Sequence, residues 1–126
     1  MLDHVVLAVR DLERSAAFYK EALAPLGHTG HVTYDGDAGH AALRGFGDAD
    51  ETYLLLKRGR PAPHAVHVAF VATSKRAVDA FYRAAMAAGA RDNGPPGARD
   101  HYFAGYYAAY VLDPDGYNVE AVFQKR

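Results

Sequence analysis

A chain of 126 residues in which 50% are hydrophobic is long enough to bury one core, and it contains no cysteine for disulfides or thiolate ligands. Its formal net charge of −1, with acids and bases interspersed, offers no basic patch for nucleic acid or an anionic membrane. The sequence has neither a signal-peptide pattern nor an apolar run approaching ~18 residues. We therefore expect one cytoplasmic domain with no nucleic-acid or membrane partner.

The chain begins with the pattern of a strand followed by a helix. Residues 2–9 are rich in Val and Leu, which favours a strand. Asp11 is placed to cap a helix whose apolar residues recur at three- and four-residue steps, giving one buried face. Pro25 and Gly27 are predicted to end it.

Three short strands are predicted next, over residues 28–57. Glycine-containing turns at 35–37 and 45–48 would separate them. The stretch 53–56 is the most continuous apolar run of this region, which makes it the expected central strand. Residues 58–63 have the Pro and Gly content of a linker.

The second half repeats this plan. A strand over 65–72 precedes a helix capped by Thr73 or Ser74 and closed by Gly89. After a glycine- and proline-rich loop, two strands are predicted on either side of a turn, at residues 106–112 and 117–123. Each half is thus β-α-β-β-β, and the fold class is α+β.

A fixed internal offset supports this division. His4 and His67 begin matching segments, and Phe18 and Phe81 also lie 63 positions apart (4 to 67, 18 to 81). Such a period indicates a duplicated structural unit, and a histidine repeated by it can lie where two half-sites meet. We place module one at 1–60 and module two at 64–126 of a single domain.

Strand alternation suggests a shared surface for three candidate ligands. His4 and His67 are each predicted on the sheet face opposite the larger apolar side chains. Glu120 lies in an apolar strand, where a buried carboxylate needs a charged partner. Two histidines and a carboxylate bind iron(II), manganese, zinc or nickel and leave positions open for substrate. The sequence does not choose among these metals.

The segment before the penultimate strand supplies candidate substrate contacts. Arg99 could hold a carboxylate or phosphate, and His101 or a tyrosine hydroxyl could serve as acid or base. Tyr106 and Tyr110 share a strand face, and Tyr102 lies just before it. The alternative interpretation is a solvated loop, with the tyrosines serving as a wall or dimer surface.

Three segments resemble the vicinal oxygen chelate superfamily, which includes glyoxalases, bleomycin-resistance proteins and extradiol dioxygenases. They are Asp3-His4-Val5, residues 11–19 and residues 113–120. The resemblance implies two tandem βαβββ modules that form a curled mixed sheet around a metal-binding cleft. It also implies a homodimer.

Carried over residue by residue, the resemblance implies that His4, His67 and Glu120 are metal ligands. If the protein is an isomerase it needs a base, and the candidates are Glu120 and His101. Glyoxalase I-like members place a fourth ligand on the last strand of module one. Here that strand, 53–56, has none, and Glu51 lies at its edge. The remaining set is that of the extradiol dioxygenases, which usually have longer chains.

The sequence therefore predicts a metal-dependent enzyme for a small substrate chelated through neighbouring oxygens. A glyoxalase-like lyase or isomerase and a ring-cleaving dioxygenase both stay open. The alternatives are a non-catalytic protein that binds an antibiotic-type small molecule, and a vestigial site in a regulatory module. Whether the site lies within one chain or between two also stays open.

Overall fold

The computed structural model describes residues 1–125, and its first half has the predicted β-α-β-β-β order. Its elements are β1 (Val5–Val9), α1 (Leu12–Leu23) with a 3₁₀ turn (Ala24–Leu26), β2 (Gly30–Tyr34), β3 (Leu43–Gly47) and β4 (Thr52–Arg58).

The second half repeats the order with one extra pairing. Its elements are β5 (His67–Val71), α2 (Lys75–Ala87), β6 (Arg91–Asp92), β7 (Gly97–Ala98), β8 (Tyr106–Leu112) and β9 (Asn118–Gln124). The loop predicted before β8 thus contains two short strands that pair with β8.

Two mixed sheets of the same topology result, which confirms the α+β class. Their orders are β1-β4-β3-β2 and β5-β9-β8-β6, with β7 also paired to β8. The first strand of each half runs parallel to the last, and the other pairings are antiparallel. Neither sheet closes on itself. As predicted, β4 is a central strand.

The helices begin where capping chemistry predicts. The Asp11 carboxylate accepts the backbone N–H of Arg14 at 3.1 Å, and the Ser74 hydroxyl accepts that of Ala77 at 3.0 Å. Ser74 rather than Thr73 is therefore the second cap. The helices cover one face of each sheet, and the opposite faces are open. No helix within residues 1–125 is long and apolar enough to cross a membrane.

Two predicted boundaries are wrong. Strand β1 begins at Val5, so His4 precedes it. The glycines of 45–47 lie inside β3, and the turn follows, where Asp48 accepts backbone N–H groups. These glycines permit close packing, because a Cβ on Gly47 would lie 1.8 Å from the Glu51 carbonyl oxygen.

A buried carboxylate connects the β8–β9 turn to the first module. Asp113 is 2% exposed and accepts the Tyr19 hydroxyl at 2.5 Å and the backbone N–H groups of Asp115 and Tyr117 at 2.9 Å. Burial raises the pKa of the Asp113 carboxyl, and these donors oppose that rise. The turn is thereby held against α1.

Asp115 extends this connection. One carboxylate oxygen accepts the Ser15 hydroxyl at 3.2 Å, and the other accepts Arg10 at 3.3 Å. Tyr117 donates its hydroxyl to the carbonyl oxygen of Ala8 at 2.7 Å. The turn of module two therefore binds both the end of β1 and the start of α1.

Removal of one hydroxyl tests this connection. Tyr19→Phe leaves an Asp113 oxygen with one donor fewer in a buried site, so we expect a loss of about 1–3 kcal/mol in the free energy of unfolding. Urea denaturation would measure it. The control is Tyr82→Phe, whose hydroxyl binds exposed Asp92 at 3.0 Å and should cost less than about 0.5 kcal/mol. Equal losses in the two variants would contradict this account.

Candidate functional site

A cleft lies on the open face of the second sheet, beneath the segment that joins β7 to β8. Its volume is about 870 Å³. It is lined by His67, Asn93, Gly94, Arg99, His101, Tyr102, Phe103, Tyr106, Tyr110, Asn118 and Glu120. All of these belong to module two, so one half of the chain forms the whole cleft.

A histidine–carboxylate pair forms the polar floor of the cleft. His67 Nε2 lies 2.9 Å from Glu120 Oε1. Glu120 is 2% exposed, whereas the His67 side chain is 48% exposed. Because β5 and β9 pair in parallel, with His67 opposite Asn118, the histidine is one pleat away from Glu120 on the same face. A buried carboxylate is thus presented next to an accessible imidazole.

Two tyrosines of β8 border the carboxylate. Tyr106 donates its hydroxyl to Glu120 Oε2, while Tyr110 is the register partner of Glu120 on β8. Desolvation raises the pKa of Tyr106 well above its ordinary value, and the Glu120 contact adds to the rise. Desolvation followed by the charge of Glu120 raises the pKa of Tyr110 to about 12. Both phenols are neutral at physiological pH, as an unperturbed tyrosine is, and the raised pKa values extend the neutral state to higher pH.

The 99–105 segment forms the rim. Arg99 is half-buried, with its guanidinium carbon 5.5 Å from the centre of the Tyr110 ring. The rings of His101 and Tyr102 lie 4.2 Å apart at the surface, and Tyr102 is 5.3 Å from Tyr106. The rim therefore presents one cation and a continuous aromatic wall.

Seven of the eight predicted site residues line this cleft, and His4 does not. In one chain His4 is exposed, with Nδ1 2.6 Å from Asp3 Oδ1. Within residues 1–125, no three His, Asp or Glu side chains are grouped closely enough to hold a metal. A single chain thus brings together His67 and Glu120 but not the third predicted ligand.

Four lining residues had not been singled out as site residues: Asn93, Gly94, Phe103 and Asn118. Asn118 could have been found from the sequence, since it lies two residues before Glu120 and strand alternation puts the two on one face. Asn93 reaches the cleft by donating its amide to Asn118 Oδ1 at 3.2 Å. The placement of Asn93 and Gly94 depends on the β6 pairing, for which the sequence gives no clear signal.

The register also identifies the missing fourth ligand position. Val6 is opposite Leu55 in the first sheet, as Ala69 is opposite Glu120 in the second. Leu55 is therefore the module-one counterpart of Glu120. Glu51 lies in the exposed turn before β4. Strand β4 has an aliphatic side chain at the position where β9 has Glu120.

Fold and sequence together define the class of protein. Residues 1–121 match the model of the Glyoxalase/Bleomycin resistance protein/Dioxygenase superfamily, so the chain belongs to this family. The expected family and fold are thus confirmed.

Solved structures show the same fold. A glyoxalase/bleomycin resistance protein from Albidiferax ferrireducens T118 is 31% identical, with a TM-score of 0.83 over 98% of this chain and 99% of that one. The fosfomycin resistance protein FosX from Listeria monocytogenes is 20% identical, with a TM-score of 0.71 over 99% and 93%. A glyoxalase-related enzyme from Fulvimarina pelagi is 21% identical, with a TM-score of 0.71 over 98% and 88%. No curated protein matches the chain.

The tyrosine pKa values test the cleft geometry. Since the charge of Glu120 contributes to the raised pKa of both Tyr106 and Tyr110, Glu120→Gln should lower both. Alkaline titration of tyrosinate absorbance would then show part of the rise at a lower pH than in the wild type.

The control places Glu120→Gln in a Tyr106→Phe, Tyr110→Phe background. There the glutamine should leave the titration unchanged, because the two responsive phenols are gone. A shift of the same size in that background would mean that other tyrosines sense Glu120 and would refute the geometry.

Proposed function

We propose that the protein is a metal-dependent enzyme whose small substrate is chelated through neighbouring oxygens. The observation that carries this proposal is the His67–Glu120 pair, a buried carboxylate 2.9 Å from an accessible imidazole in a large cleft. Two ligands of this kind suit iron, zinc, nickel or manganese and leave positions for a bidentate substrate. When bound, a divalent metal supplies Lewis acidity to the substrate oxygens.

The charges of the cleft support a cation at this point. Glu120 is nearly inaccessible, and a carboxylate without a positive partner is costly to bury. Its Oε2 accepts the Tyr106 hydroxyl, and its Oε1 lies 2.9 Å from His67 Nε2, so a bound cation would replace the proton between these two atoms. Tyr106 therefore fixes the carboxylate orientation, as outer-shell partners of metal ligands commonly do.

A second copy of the chain would supply the third ligand. On the open face of the first sheet, Val6, Leu55 and Val32 form an apolar row, and Val6 and Val32 are 46% and 50% exposed. By alternation, His4 belongs to this face. We propose a homodimer in which this face of one copy covers the cleft of the other and brings its His4 to the partner's His67–Glu120 pair.

The residues allow two reaction classes, a lyase or isomerase and a ring-cleaving dioxygenase. For proton transfer the available groups are Glu120 itself and the exposed His101 at the rim. The neutral phenol of Tyr110 would donate a hydrogen bond to an oxyanion formed in either reaction, since the Tyr106 hydroxyl already donates to Glu120.

A non-catalytic small-molecule binding protein is the second candidate. The observation that favours it is the aromatic rim, where Tyr102 is 53% and Phe103 is 65% exposed beside a cleft that needs no metal to take up a flat ligand. This function would need His67 and Glu120 only as a hydrogen-bonded pair.

The metal content of the purified protein distinguishes the metal-dependent enzyme from the non-catalytic binding protein. Protein purified anaerobically without a histidine tag should contain about one divalent metal per chain by mass spectrometry, and His67→Ala should lose it. The matched control is His40→Ala, since His40 is exposed and does not line the cleft. Absence of metal in all three proteins, even after reloading, would favour the binding protein.

Subunit mixing tests the shared site. His4→Ala and His67→Ala should each lack metal. If the site is shared, exchanged dimers should recover about one quarter of the wild-type content, because half the dimers are mixed and each has one intact site. No recovery in chains shown to exchange would exclude a His4 ligand from the second copy.

A further inference from the structure

Arg99 is the one cation that lines the cleft within residues 1–125, and it is held in a fixed position. Its Nη2 donates to the carbonyl oxygen of Pro95 at 2.8 Å and its Nη1 to that of Ala98 at 3.3 Å. Its guanidinium lies over the Tyr110 ring at 5.5 Å. Two carbonyls and one ring thus orient the side chain before any ligand arrives.

Two glycines make room for this arrangement. A Cβ on Gly97 would lie 2.8 Å from Arg99 Nη1. A Cβ on Gly94 would lie 2.9 Å from Tyr110 Cδ2 and 3.5 Å from Arg99 Nη2, and Gly94 has a φ of +143°. The position of the guanidinium therefore depends on the absence of two side chains.

The guanidinium has no acidic partner. None of the ion pairs within residues 1–125 includes Arg99, although the side chain is half-buried. Only two of the N–H groups of Arg99 have acceptors in this part of the chain, and a guanidinium carries five. Its free N–H groups suit a planar monoanion such as a carboxylate.

The surroundings of Arg99 are aromatic. Tyr102 lies 5.3 Å from Tyr106 in an edge-on arrangement, and Phe103 stacks on Tyr106 at 6.5 Å. The Tyr110 ring contacts Arg99 on one side. The centre of the His67 ring lies 6.1 Å from the centre of the Tyr110 ring. Arg99 and His67 therefore both lie beside the Tyr110 ring, along which an aromatic ligand can lie.

We propose that the cleft binds an aromatic carboxylic acid, with the carboxylate on Arg99, the ring against Tyr102, Tyr106 and Tyr110, and the opposite edge toward Glu120. Gly94 and Gly97 are positioning residues that seat Arg99. This inference rests on the proposed function for the edge of the ligand that lies toward Glu120. The recognition of the acid depends on Arg99 and the aromatic wall alone.

Isothermal titration calorimetry with simple probes tests the proposal. The wild-type protein should bind benzoate about tenfold or more tightly than benzamide and more tightly than cyclohexanecarboxylate. Arg99→Gln should remove the preference for benzoate over benzamide. Arg83→Gln, a change at an exposed residue of α2, should keep it.

Gly97→Ala separates an effect on the position of Arg99 from an effect on the stability of the protein. It should lose the preference for benzoate and keep the wild-type melting temperature, since its added methyl group displaces only the Arg99 guanidinium. Equal binding of benzoate and benzamide by the wild type, or no benzoate binding at millimolar concentration, would overturn the proposal. Tighter binding of cyclohexanecarboxylate or phenylphosphonate than of benzoate would overturn it as well.

The metal content of the same preparations keeps the two proposals apart. Arg99→Gln should retain the metal of the wild type. Discrimination between benzoate and benzamide in a protein that holds no metal would support the ligand class and refute the enzyme. Normal metal content without discrimination between benzoate and benzamide would support the enzyme and refute the ligand class.

Discussion

The polar floor of the cleft depends on the burial of one carboxylate, Glu120. An ionised group that is 2% exposed must be matched by its neighbours, and here His67 and Tyr106 provide the match. Both neighbours come from strands that pair with β9, so the sheet register fixes the geometry of the site. Desolvation and the same charge raise the pKa values of the nearby phenols of Tyr106 and Tyr110.

Two further buried carboxylates hold strands β8 and β9 in place. Asp113 and Asp115 occupy the turn between β8 and β9, and through Tyr19, Ser15 and Arg10 they bind module one. The hairpin that carries Tyr106, Tyr110, Asn118 and Glu120 is therefore anchored at its closed end against α1. Tyr106 lies at the end of β8 that is far from this anchor. Movement on ligand binding can therefore be confined to the loop that precedes β8.

Much of this was available from the sequence because periodicity and duplication are local signals. Alternation put His67, Glu120, Tyr106 and Tyr110 on open strand faces, and the 63-residue offset revealed the repeat. The errors have local causes too. Gly47 was read as part of a turn, although its missing side chain serves a close strand contact.

What the sequence could not supply were distances between separate elements. His4 and His67 are equivalent by repeat, yet within one chain only His67 lies at the cleft. The seating of Arg99 by Gly94 and Gly97 likewise depends on a loop path that no periodic pattern encodes. Such features arise from tertiary packing, which patterns of residues close together in the sequence do not predict.

The substitution of Leu55 for a ligand has a stereochemical meaning. In the proposed dimer, module one of one copy would lie opposite module two of the other, and equivalent ligands on both modules would let a substrate lie in either direction. Since the acid is present at residue 120 and its counterpart at residue 55 is aliphatic, the two directions differ in energy. In the proposed dimer, divergence of a single strand position would therefore fix the direction in which a substrate lies across the cleft.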